Sequence, residues 1–133
     1  MMSDAVVPDA TKTKLEAIMQ NMIALQKEAS KAMSAVMGLK NQFLENQLVA
    51  KELDEVPDGT AVYKLVGPVL LAEELEEART NVRTRLSKIS EQLQAGNNRV
   101  HAIETEMEQK RASLIAFQTE LQKQEMAQMQ GGM

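Results

Sequence analysis

The sequence predicts a mostly α fold: a long antiparallel coiled-coil hairpin of two helices with one short β-hairpin at the connecting end. Three observations predict it. Two heptad registers run along the flanks of the chain, a β-branched segment separates them, and aromatic residues are nearly absent. Of 133 residues, only Phe43, Tyr63 and Phe117 are Phe, Tyr or Trp. A rounded core draws much of its buried area from such rings. The apolar content of 44% comes instead from Leu, Val, Ile, Ala and ten Met, and with 26% charged residues it suits long amphipathic helices.

The first register steps alternately by three and four through Leu15, Ile18, Met22, Leu25, Ala29, Ala32, Val36, Leu39, Phe43, Asn46, Ala50 and Leu53. Eleven of these twelve positions are apolar and Lys, Glu, Gln and Asn flank them, a specific coiled-coil signal. Pro8 followed by Asp9 marks a helix start with Asp9 or Thr11 as N-cap. The helix is expected over residues 10–53, after a flexible leader over residues 1–9.

The second register runs through Ala72, Leu75, Arg79, Val82, Leu86, Ile89, Leu93, Gly96, Val100, Ile103, Met107, Lys110, Leu114, Phe117, Leu121 and Gln124, with twelve of sixteen positions apolar. Glu73, Glu74, Glu76 and Glu77 crowd its start, where the positive end of the helix dipole favours carboxylates. Glu106 and Lys110 form an i,i+4 pair of the favourable orientation. This helix is expected over residues 72–128, with a flexible tail over residues 129–133, so that 10–128 form a single domain. Gly96-Asn97-Asn98 are poor helix formers inside it. They read equally as a flexible point or as a weak spot tolerated by good packing.

Between the helices, Pro57-Asp58-Gly59 is turn chemistry, and Thr60 to Val66 is β-branched and aromatic, as strands are. Gly67-Pro68 interrupts the run, and Val69 to Leu71 forms a second strand, which makes a β-hairpin over residues 60–71. The whole insert, Asp54 to Leu71, has only 18 residues. An isolated two-stranded hairpin is marginal in water, so Val62, Tyr63, Leu65, Val66, Val69, Leu70 and Leu71 are candidate oligomerisation residues, pairing with other strands edge to edge. A short connection makes the helices antiparallel neighbours, with Leu53 facing Leu71 and a rod of about 60 Å at 1.5 Å per residue.

Helix, single hairpin, helix at these lengths resembles the β class of prefoldin subunits. The resemblance covers about Thr11 to Gln124 and is sharpest in AVYKLVGPVLL, residues 61–71, and EEARTNVRTRLSKI, residues 76–89. It implies a chaperone heterohexamer of two α-class and four β-class subunits, whose hairpins build a platform from which six coiled coils project. It further implies that the coiled-coil tips hold unfolded client proteins, notably actin and tubulin chains, without ATP, and pass them to the cytosolic group II chaperonin. The MMSDAVV leader and QEMAQMQGGM tail fall outside the family pattern.

Methionine is flexible and polarisable and suits promiscuous apolar contact. With Leu53 facing Leu71, Met19, Met22 and Met107 gather near the free end while Met126 and Met129 overhang it, and these five are the candidate client-binding residues. Met22 and Met107 also sit on the seam, where filling the core is the commoner role for Met.

Other function classes fare worse. His101 is the sole histidine, there is no Cys, and a metal site needs several ligands. Asp54, Glu55 and Asp58 lack the ligand alternation and closing Glu of a calcium loop, and no Gly-rich loop ends in GK[ST]. The chain is therefore expected to be no enzyme and to need no cofactor. A net charge of −4 gives no footprint for nucleic acid. No basic n-region opens the chain and no run of about 18 apolar residues interrupts it, so no membrane contact and a cytoplasmic location are expected. A non-chaperone coiled-coil scaffold or adaptor would share the heptads, but would not need the β insert.

Overall fold

The computed structural model describes residues 9–131. Most of the expected leader and the last two residues of the expected tail lie outside the described residues. The elements follow in the order α1 (Asp9–Glu55), β1 (Val62–Val66), β2 (Val69–Glu73) and α2 (Leu75–Gly131).

The heptad reading of α1 holds at every position. All twelve seam residues from Leu15 to Leu53 are buried or half-buried, and nearly all residues between them are exposed. In α2 the seam departs from expectation at its two ends. Ala72 belongs to β2 and is exposed, and Gln124 is exposed while Glu125 is half-covered. Ala78, outside the register, is buried at 4% exposure. Thr11 lies inside α1 and so is not its N-cap; Asp9 is the first described helical residue, and its carbonyl accepts the Thr13 hydroxyl at 2.9 Å.

Packing divides the chain into two compact units, residues 33–98 and residues 9–32 with 99–131. In the first, Val36, Leu75, Ala78, Val82 and Ile89 are the buried apolar residues. In the second, Leu25, Ala29 and Ile103 form a cluster against which Ala32 and Met107 pack. There Arg99 donates to Glu28 at 2.6 Å across the two helices, and Phe117 lines a shallow hollow with Ala10, Thr13, Lys14 and Ala17.

The connection is built from two turns. Val56 N donates to Glu52 O at 3.2 Å as α1 ends, and Thr60 N then donates to Pro57 O at 3.2 Å. Gly59 sits at φ +84° in the third position of that turn, the φ of a type II turn and one that glycine alone adopts freely. In the hairpin, Gly67 has φ +59° and precedes Pro68. A positive φ followed by a ring-fixed negative one is the type II′ loop, whose twist matches that of the strands.

That loop accounts for the boundary differences. Two turn residues place Val66 opposite Val69, and the ladder then runs through Leu65↔Leu70, Lys64↔Leu71 and Tyr63↔Ala72 to Val62↔Glu73. The second strand therefore extends two residues past Leu71, and the first begins at Val62 because Thr60 is held in the preceding turn. Glu74 O accepts the first α2 hydrogen bond from Ala78 N at 2.9 Å, so α2 starts at Leu75 and not at Ala72. The facing of Leu53 with Leu71 is corrected in consequence. Leu53 O accepts from Arg79 instead, at 3.0 Å, eight residues further along.

Gly96 lies in unbroken helix, and a Cβ built on it would stand 2.9 Å from Val36 Cγ2. Its smallness is used for close approach to Val36, as a poor helix former tolerated by good packing would be. Gly38 meets nothing within 4 Å. Gly38→Ala should stabilise the fold by up to about 1 kcal/mol through helix propensity. Gly96→Ala should show no such gain, because the stiff Val36 side chain must give way. Thermal unfolding of the two variants in their assembled form checks the contrast; equal gains would show that Val36 yields freely.

Candidate assembly hairpin and helix-end methionines

The two strands form a sheet of their own, so each keeps one edge with no neighbouring strand. Residues opposite each other in the ladder share a face. One face carries Val62, Lys64 and Val66 with Glu73, Leu71 and Val69. Val62 and Glu73 on this face are half-buried and border a hollow with Val49, Leu53, Ala78 and Val82 from the helices. The other face carries Tyr63 and Leu65 with Ala72 and Leu70, and is uncovered: Tyr63 is 60%, Leu65 69% and Leu70 63% exposed. Val66, Val69 and Leu71 are exposed as well. Six large apolar side chains thus stand in solvent on ten strand residues, which is far more than scattered surface apolars amount to.

Arg79 ties the start of α2 to the end of α1 beneath the hairpin. Its Nε donates to Leu53 O at 3.0 Å and its Nη2 to Val56 O at 3.3 Å, satisfying carbonyls that the helix end leaves without partners. Its Nη1 bonds Glu76 and lies 3.5 Å from Asp58 in the turn. Asp54 approaches both Arg79, at 3.9 Å, and Arg83, at 3.6 Å. The hydrogen bond to Glu76 is the main cause that raises the Arg79 pKa above the ordinary arginine value, against partial desolvation that lowers it. On the other side of the strand, Asn81 Nδ2 donates to Glu73 Oε1 at 2.8 Å. Sequence reasoning treated Arg79 as a polar exception in the seam and missed this role. The available signal was a fork-shaped donor at an otherwise apolar heptad position near the start of a helix.

The five methionines separate into two groups. Met19 and Met126 are exposed and Met129 is 77% exposed, outside the seam. Met22 is half-buried on the seam, and Met107 packs against Leu25, Ala29 and Ile103. The corrected pairing therefore puts Met107 beside Leu25 and Ala29 rather than at the extremity of the helix pair. Gln124 to Gly131 extend α2 beyond the residues that α1 can pair from Asp9 onward.

Among the described residues no group of three or more His, Cys, Asp or Glu is placed to hold a metal ion, and His101 is exposed. Among them, too, no helix is long and apolar enough to cross a membrane.

A family model described as Prefoldin subunit matches residues 16–128. Prefoldin subunit 6 of Mus musculus is 36% identical over 118 residues, covering 89% of this chain and 93% of its own length. Prefoldin subunit 6 of Arabidopsis thaliana is 35% identical over 121 residues, 91% of this chain and 93% of its own. The Saccharomyces cerevisiae protein of that name is 38% identical over 91 residues, 68% of this chain and 80% of its own. These relatives all carry the subunit number 6, the subunit that GPVL at residues 67–70 and the EAR…V…RL run at residues 77–86 resemble. Among solved structures, the prefoldin beta subunit from Thermococcus strain KS-1 superposes with a TM-score of 0.74 over 83% of this chain and 93% of that one, at 14% identity, a likeness of fold. Two heptad helices joined through a solvent-exposed hairpin, and a family match along nearly all of both, mean that this chain belongs to the prefoldin subunit family.

Proposed function

We propose that the chain is one subunit of an ATP-independent holdase, a heterohexamer of two α-class and four β-class prefoldin subunits working in the cytoplasm without a cofactor. The observation that carries this reading is the uncovered hairpin. Fully burying a Leu or Val side chain contributes about 1.5–3 kcal/mol, and Val62, Tyr63, Leu65, Val66, Val69, Leu70 and Leu71 supply such side chains beside two open strand edges. Strands of neighbouring subunits satisfy both needs at once. A scaffold held together by its heptads alone leaves that surface without a purpose.

The unpaired helix end serves the clients. Met19, Met126 and Met129 carry the contact with unfolded chains such as actin and tubulin, and Met22 and Met107 add only the area that the seam leaves uncovered. Clients then pass to the group II chaperonin. No bond is made or broken in this cycle; many weak apolar contacts act together.

Three outcomes test the reading. The purified chain alone should self-associate, because open edges and apolar faces remain; sedimentation showing a thermally cooperative monomer at micromolar concentration would contradict it. Tyr63→Asp or Leu65→Asp should abolish incorporation into the complex and leave helix content nearly intact, since a buried unpaired carboxylate costs several kcal/mol while the seam is untouched. Stoichiometric co-purification of either variant with partner subunits would place assembly elsewhere. Finally, removing residues 124–133 together with Met19→Gln should preserve complex mass and reduce, without eliminating, capture of a diluted unfolded client. Undiminished capture at every client concentration would relieve these methionines of the role.

A further inference from the structure

In the unit formed by residues 33–98, α1 carries a second apolar stripe besides its seam. Met33, Met37, Leu44 and Leu48 are exposed, Met37 and Leu48 each by 64%. With Lys40 and Lys51 included, the series advances by four, three, four, four and three residues. That is the spacing of a helix–helix seam over five turns, and an extended chain, with its period of two, does not match it. The polar residues on the stripe are informative. Its only charges are Lys40 and Lys51, whereas Glu45 and Glu52 fall off it, and neither lysine takes part in an ion pair among the described residues. In a chain of net charge −4 this face is cationic and apolar together.

We infer that the outer face of α1 from Met33 to Lys51 is a docking seam for an acidic amphipathic helix of another protein. Apolar side chains of that helix lie on Met33, Met37, Leu44 and Leu48, and its carboxylates meet Lys40 and Lys51. The two methionines allow several apolar shapes to be accommodated, while the lysines select for acid. A second copy of this chain is a poor occupant. Two such faces would bring lysines toward lysines, and residues 75–98 of α2 expose no large apolar side chain.

The test uses the full-length chain assembled with its partner subunits and two synthetic helical peptides of about three heptads, each with Leu at the a and d positions. One carries Glu and the other Lys at the flanking positions, and binding is read by fluorescence anisotropy at low and high salt. The Glu peptide should bind in preference, more weakly as salt rises. Met37→Gln with Leu44→Gln should weaken it about tenfold or more, as expected for losing two apolar contacts. Lys40→Glu with Lys51→Glu should reverse the preference between the peptides. All four residues are exposed, so complex mass should stay constant. Equal binding of both peptides, or indifference of the Glu peptide to both double variants, overturns the inference. Displacement of the Glu peptide by equimolar unfolded protein also overturns it, and would make the stripe client-binding surface. Should either variant fail to assemble, a benzophenone side chain placed at position 41, beside the stripe, must cross-link to the Glu peptide in the otherwise unaltered complex; no cross-link again overturns the inference. No client is needed, so the result stands apart from the holdase reading.

Discussion

The hydrogen-bond register begun at Gly67-Pro68 controls much of what surrounds it. A two-residue loop leaves no slack, so Val66 opposes Val69 and every later pair follows to Val62↔Glu73. The ladder in turn postpones the start of α2 to Leu75. From that start, one turn of helix brings Arg79 to the carbonyls of Leu53 and Val56, where α1 has run out of internal donors. A slip of one residue would exchange the two faces of each strand and turn Lys64 to the side now held by Tyr63 and Leu65. The hairpin faces, the start of α2 and the arrival of Arg79 at the end of α1 therefore follow from one tight turn.

Burial in this chain is narrow. The buried apolar residues are Leu, Ile, Val and Ala, and none of the large ones is fully enclosed. Two helices in contact cover one stripe each, so most side chains touch water and no polar side-chain atom is buried without a partner among the described residues. Little free energy remains in such a seam once chain entropy is offset. The apolar hairpin is then better regarded as stabilising material not yet used. Under the proposed assembly its area would become favourable once partners cover it, and the stability of the fold would then follow the concentration of those partners.

The helices, their seam and the existence of the hairpin were legible in the sequence because each rests on local periodicity. A 3–4 repeat names the buried positions whatever the opposite helix is doing, and Leu15 to Leu53 needed no knowledge of α2. The pairing between helices was not legible in the same way. Shifting α2 by one heptad, as from Ala72 to Arg79, preserves the seam positions, so which of its turns lies beside Leu53 depends on strand length. Strand length in turn depends on Ala72 and Glu73, residues of low β propensity, recruited by a ladder whose register was already set. The displaced pairing carried Met107 with it, which is why its neighbours are Leu25 and Ala29. Exposure of Met19, Met126 and Met129 was legible, since all three fall off the repeat.

The residues that break a heptad pattern carry information that the pattern itself does not. Asn46 donates its amide N–H back to Gln42 O at 2.7 Å and so occupies a seam position with that donor satisfied. Gly96 lets α2 approach Val36 more closely than any side chain would permit. Arg79 replaces an apolar contact with bonds to two carbonyls and to Glu76 just where a helix ends. Lys110 stands half-buried with a long apolar stem that can cover its neighbours while its ammonium reaches water. Each exception answers a different requirement: satisfying an amide, allowing close approach, capping a helix, covering a rim. A coiled coil assembled from perfect heptads would gain area at these four places and lose the features that tell one register from the next, since identical repeats pair equally well at every heptad shift.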